Sequence, residues 1–166
     1  MAEAAVSTPS ELFVGEWSRT LDERFRVSLP TEWSERLAGD QGQCTLAKER
    51  PGCVSLWRSD HWQQRLAEGM QLIGAKISSG RLEQRTDQLQ TLGRLLSTRH
   101  HLLPVAARGR IALPESFRDF LGVEAGGQLL IVGAAVCVEL WNPAFWGQHI
   151  AEQMPGFREL FNELNA

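Results

Sequence analysis

A chain of 166 residues, 43% hydrophobic and 22% charged, has the composition of a soluble globular protein and room for one medium domain or two small ones. Its net charge of −3 argues against diffuse binding to polyanions, although it leaves space for a local basic patch. Three cysteines (Cys44, Cys53 and Cys137) with no CxxC pair argue against a disulfide framework and suit buried thiols in a reducing compartment.

Residues 1–10 have neither a basic start nor a long apolar core, so they read as a disordered tail rather than a signal peptide. No apolar run reaches membrane-spanning length. Glu11–Asp22 reads as extended, with Phe13, Trp17 and Leu21 as its apolar members. Arg26–Leu29 is a short strand that Pro30 ends, and Thr31 is placed to cap a helix running to Leu37. Gly39 and Gly42 break that helix. Strands at Cys44–Lys48 and Cys53–Trp57 follow, joined by a turn at Pro51-Gly52, and Ser59 is placed to cap a helix carrying Trp62, Leu66, Met70 and Ile73. Gly80–Leu96, with leucines at 82, 89, 92 and 96, predicts a connecting helix. The order then recurs: Ser97–Val105 extended, a strand at Arg110–Leu113, a helix at Glu115–Leu121 closed by Gly122, strands at Gln128–Val132 and Cys137–Trp141, and a helix at Pro143–Met154. A last helix carries Phe157, Leu160, Phe161 and Leu164 at i, i+3, i+4 and i+7.

The recurrence is a true internal repeat. Arg24 and Arg108 stand 84 positions apart, and so do Cys53 and Cys137, Trp57 and Trp141, and Trp62 and Trp146, with no gap needed between them. The expected organisation is therefore a tail at 1–10, a first repeat at 11–75, a connector helix at 76–96, a second repeat at 97–155 and a C-terminal helix at 156–166. The expected class is α+β with small antiparallel sheets and flanking helices. The paired tryptophans follow strand and helix periodicity, which suits core packing better than an aromatic platform.

The turn before each short strand is the candidate site. It reads Asp22-Glu23-Arg24-Phe25-Arg26 in the first repeat and Ala106-Ala107-Arg108-Gly109-Arg110 in the second. If each pair of arginines lay in a strand, its two side chains would point the same way and form a guanidinium fork. Such forks suit phosphates and guanine edges, although arginines also occur simply as solvated strand edges. Asp22 is four residues before Arg26 and placed to hold it. A phenylalanine at position 25 disfavours a left-handed turn. Between Asp87 and Glu115 there is no acid, while Arg94, Arg99, His100, His101, Arg108 and Arg110 fall in that window. The four histidines make no metal pattern, no nucleophile–base motif occurs, and neither catalysis nor a cofactor is expected.

Together these residues resemble the MraZ family, whose copies are SpoVT/AbrB-like swapped-hairpin domains. Phe13-Val14-Gly15, Leu21-Asp22 with Arg26, and Val27-Ser28-Leu29-Pro30 are similar to its F-x-G, L-D-x-x-x-R and strand-Pro patterns. Val54–Trp57 with Trp62, and Val138–Trp141 with Trp146, are similar to its strand-to-helix signatures. The likeness spans roughly residues 11–155 and departs from the family at Ala106, where an aspartate is usual, and at Phe25, where a glycine is usual. It implies two tandem, pseudo-symmetric units of that fold in a bacterial transcriptional regulator. It implies binding to double-stranded DNA at direct repeats in the promoter of the division and cell-wall gene cluster, assembly into a ring-shaped homo-oligomer, and a cytoplasmic, nucleoid-associated location. The DNA-contacting residues carried over are Asp22, Arg24, Arg26, Arg108 and Arg110. The departures keep a second reading open: an oligomeric assembly protein of the same fold that has lost specific DNA contact.

Overall fold

A computed structural model describes residues 12–166; the tail expected at 1–10 lies outside the described residues. The first half supplies β1 (Glu16–Thr20), β2 (Arg26–Ser28), α1 (Thr31–Ala38), β3 (Gln43–Arg50), β4 (Cys53–Arg58) and the long α2 (Ser59–Ser78). The second supplies α3 (Thr86–Arg99), β5 (His100–Pro104), β6 (Arg110–Ala112), α4 (Glu115–Leu121), β7 (Gln128–Gly133), β8 (Val138–Trp141), α5 (Pro143–Gln153) and α6 (Phe157–Leu164). The class is α+β, with antiparallel sheets as expected.

The halves do not fold side by side. Six strands form one sheet in the order β1-β7-β8-β4-β3-β5, and β2 pairs with β6 in a separate two-stranded ribbon. Each half's first strand is thus paired in the other half: β1 lies along β7, and β5 along β3. Two facing pairs, Val27 with Ile111 and Ser55 with Glu139, each join a residue to its own copy 84 positions on. A twofold pseudosymmetry axis therefore runs through the centre of both sheets.

Alternation in the strands sets the layers. One face of the large sheet buries Leu46, Val54, Leu56, Leu129, Ile131, Val138 and Leu140. The ribbon covers that face with Val27, Leu29, Ile111 and Leu113, and the two short helices add Trp33 and Leu37 from α1 and Phe117 and Leu121 from α4. The other face carries two small clusters, one at each end. Trp57 and Trp62 pack with Cys137, while Trp141 and Trp146 pack with Cys53, so each half's tryptophans cover the other half's thiol. Core packing is what these four indoles do. Between the clusters the axis pair accepts indole protons: Trp57 Nε1 donates to Ser55 Oγ at 2.8 Å and Trp141 Nε1 to Glu139 Oε1 at 2.9 Å.

Several local expectations differ from what forms. Thr31 and Ser59 are the first residues of their helices rather than caps, and neither helix start has a capping side chain. Ser59 Oγ instead sits 3.0 Å from Thr45 Oγ1. Asn142, by contrast, does cap, its side chain accepting from Ala144 N at 3.0 Å. The helix expected from Gly80 begins only at Thr86, because the apolar stripe through Ile73 and Ile77 carries α2 on to Ser78. Leu96 is likewise not the end of α3, which continues to Arg99. Gly122 closes α4 in the left-handed region as expected, at φ +76°.

Candidate nucleic-acid interface

The ribbon presents the site. Val27 and Ile111 point into the core, so their strand neighbours Arg26, Ser28, Arg110 and Ala112 share the outward face. Arg26 faces Ala112 and Arg110 faces Ser28. The two arginines therefore stand diagonally, with Cα atoms roughly 7–8 Å apart by strand geometry. Each arginine turn is anchored by the opposite half. Leu29 N donates to Gly109 O at 2.9 Å, and its copy Leu113 N donates to Phe25 O at 2.9 Å.

Both turns share one backbone frame. Asp22 N donates to Arg26 O at 3.0 Å and Phe25 N to Asp22 O at 3.0 Å; in the second half Ala106 N donates to Arg110 O at 2.8 Å and Gly109 N to Ala106 O at 3.1 Å. The frame needs a left-handed residue in fourth place. Phe25 takes it at φ +58° and Gly109 at φ +70°. The expectation that phenylalanine would avoid that region is thus overturned. A non-glycine residue there costs about 1–2 kcal/mol, which the surroundings offset: the Phe25 ring packs against the core, and the Arg118 guanidinium lies 3.8 Å above it.

The turns differ in their first residue. Asp22 Oδ1 accepts from Arg24 N at 2.8 Å and Arg26 N at 2.9 Å, and Oδ2 accepts from Arg26 Nε at 2.9 Å. The Arg26 backbone N–H, with the Arg24 N–H and the Arg26 guanidinium, holds the Asp22 carboxyl below the ordinary carboxylate range. Arg26 is therefore a fixed donor on a preset turn. Ala106 offers no such acceptor, and Arg108 swings to φ +64°, whereas Arg24, held by Asp22, stays out of that region.

The forks expected from strand alternation do not form. β2 begins at Arg26 and β6 at Arg110, so Arg24 and Arg108 belong to turns separated from those strands by a left-handed residue. The surface instead pairs Arg26 with Arg110 across the ribbon, with Arg24 and Arg108 exposed at its two ends. Among the described residues, the side chains of Arg24, Arg108 and Arg110 make no hydrogen bond or ion pair.

The acid-free window does not act as one patch. Arg99 turns inward, donating to Lys48 O at 2.9 Å and reaching Glu49 Oε2 at 3.4 Å. His100 lies 5.5 Å from Trp62 and His101 6.2 Å from Phe117, on opposite faces of β5. Only Arg108 and Arg110 of that window reach the ribbon. Sequence reasoning missed Ser28, which the pairing places opposite Arg110, and Arg118, which roofs the first turn. The strand-Pro pattern in both repeats held the signal for Ser28; nothing local marks Arg118. Among the described residues no cluster of His, Cys, Asp and Glu is placed to hold a metal ion, and no helix is long and apolar enough to cross a membrane.

Comparison with known proteins points one way. The family model described as "MraZ protein, putative antitoxin-like" matches residues 105–163. A "Transcriptional regulator MraZ" from Syntrophomonas wolfei is 24% identical over 153 residues, 92% of this chain and 96% of its own length. Proteins of the same name from Arthrobacter and Micrococcus luteus are 29% and 28% identical over 148 residues, each covering 89% of this chain and respectively 94% and 93% of their own lengths. The chain is thus MraZ-like over about nine-tenths of its length, and its second arginine turn lies within the segment that carries the family's own pattern.

Proposed function

We propose that this protein is a transcriptional regulator that binds double-stranded DNA at direct repeats in a promoter, that of the division and cell-wall gene cluster by family likeness, with Arg24, Arg26, Arg108 and Arg110 as contacts and Asp22 as the residue that positions Arg26. The observation that carries this reading is the outward face of the β2–β6 ribbon, where two arginines stand diagonally with further arginine turns at both ends. A two-stranded ribbon fits the major groove, and arginine is the usual reader of guanine there. Free guanidinium groups add phosphate contacts that fix register and make the affinity salt-dependent.

The exchanged strands support a further identification, that these are two SpoVT/AbrB-like swapped-hairpin units at 11–75 and 97–155, with 76–96 as connector and 156–166 as a C-terminal helix. Self-association into a ring would bring many such ribbons onto successive DNA repeats, so that weak single contacts sum. In this reading the protein works in the cytoplasm, on the nucleoid, without catalysis or a cofactor.

Electrophoretic shift on DNA upstream of the chain's own gene tests this. Arg26→Ala and Arg110→Ala are each expected to weaken binding about 5- to 150-fold, as for loss of one guanine contact. A double variant that binds like the wild type would remove the site assignment. The bare Ala106 favours the second reading, an assembly protein without specific DNA contact. Absence of saturable binding at low salt selects it.

A further inference from the structure

The two halves share a frame, and at one place they fill it differently. The β3–β4 turn, Pro51-Gly52, is laced to the opposite half: Gly52 N donates to Phe120 O at 3.0 Å, and Asn142 N donates to Gly52 O at 2.8 Å. Phe120 packs against the core, and the Phe145 ring lies so close that Gly52 has no room for a Cβ. Asn142 also caps α5 with its side chain. Two rings and a cap thus close the seat between that turn and the helices α4 and α5.

The copies of Pro51, Gly52, Phe120, Asn142 and Phe145, 84 positions away, are Ala135, Val136, Arg36, Arg58 and His61. Among the described residues neither lacing bond recurs there; Val136 N donates within its own turn, to Ala134 O at 2.8 Å. Both phenylalanine seats hold basic residues, and the seat that is plugged in one half is a cavity of about 630 Å³ in the other. Its apolar lining comes from Leu12, Phe13 and the Ala135-Val136 tip. Arg36, Arg58 and His61 supply the rest, and no acid lines it. The Arg36 guanidinium lies 3.9 Å from the centre of the Phe13 ring, and beside the cavity Arg58 Nη2 donates to Asp60 Oδ2 at 2.8 Å. At the mouth Leu12 is 49% and Val136 60% exposed. The helix α2 also starts here, without the side-chain cap that its copy α5 has, so its dipole adds to the positive potential.

We propose that this cavity binds a small organic acid, an apolar body that ends in a carboxylate. Ligand sites usually measure about 300–1,000 Å³ and combine an apolar lining with a few placed polar groups. A guanidinium meets a carboxylate with two parallel hydrogen bonds, and the apolar body covers Leu12 and Val136. The assignment stands apart from the DNA reading, since none of these residues belongs to the ribbon.

The test is titration calorimetry on the full chain with octanoate, and with octan-1-ol as its uncharged match. Octanoate is expected to bind saturably, one per chain, and at least about tenfold more tightly than the alcohol, as for one hydrogen bond to a charged group. Arg36→Phe with His61→Phe writes the plug of one half into the other and is expected to abolish binding, with circular dichroism as the check on folding. Val136→Glu needs no repacking, because the position is exposed, and its carboxylate is expected to weaken octanoate about tenfold. Phe161→Asp alters the exposed apolar stripe of α6 and is expected to leave the affinity unchanged. Absence of saturable binding overturns the site, and so does an alcohol that binds as well as the acid. Wild-type affinity in Val136→Glu, or its loss in Phe161→Asp, places the acid elsewhere and overturns it too.

Discussion

Gly109 is where one added methyl group should unseat the second arginine turn. A Cβ built there would lie 2.8 Å from Ser34 Cβ and Oγ and 2.9 Å from Leu29 O. The last of these is backbone, and Leu29 N is itself bonded to Gly109 O at 2.9 Å, so the turn cannot retreat without losing that bond. Alanine at φ +70° adds a left-handed cost of about 1–2 kcal/mol. Crowding of this kind typically adds about 1–3 kcal/mol. Gly109→Ala should therefore destabilise by about 2–5 kcal/mol, a fall in Tm of about 4–20 °C for a chain of this size. Thermal unfolding followed by circular dichroism reads it directly. Gly93→Ala is the control: it sits inside α3 with nothing within 4 Å, and should gain about 0.5–1 kcal/mol. If Gly109→Ala melted with the wild type, the contacts with Ser34 and Leu29 would not be what shapes the turn.

Two further outcomes follow from the electrostatics. The Asp22 carboxyl is held below its ordinary value near 3.8, so its stabilising contribution is complete above that pH and fades as pH falls through the lower folded value; Asp22→Asn should flatten that part of the acid unfolding curve, and an unchanged curve would refute the link. Burial pushes the Cys44 and Cys137 thiols up to about 12 and raises Cys53 as well; a thiol-reactive disulfide reagent at pH 8 should find no fast-reacting group in the native protein and three after denaturation.

The repeat, most element types and the buried tryptophans were legible in the sequence because 84-residue periodicity and strand alternation are properties of the chain itself. The partner of each strand was not. Alternation tells which side of β1 is apolar, but β1 would be equally well served by β3 or by its copy β7, and only the assembled core decides. The Phe25 turn was misjudged for a similar reason: local preference forbids the left-handed conformation, and packing from Arg118 and the core overrides it. The guanidinium fork failed because strand geometry was extended two residues too far toward Arg24 and Arg108. Arg26 and Arg110 came together through a pairing between halves that no local window contains.

The axis through Val27 and Ile111 has a consequence for orientation. A ribbon with perfect twofold symmetry could settle on a duplex equally well in either direction and would suit palindromes. Here one end carries the carboxylate clamp of Asp22 and the other the bare Ala106. With Phe25 set against Gly109 as well, these differences give the ribbon a head and a tail, and polarity is what the proposed reading of sites that all run the same way would require.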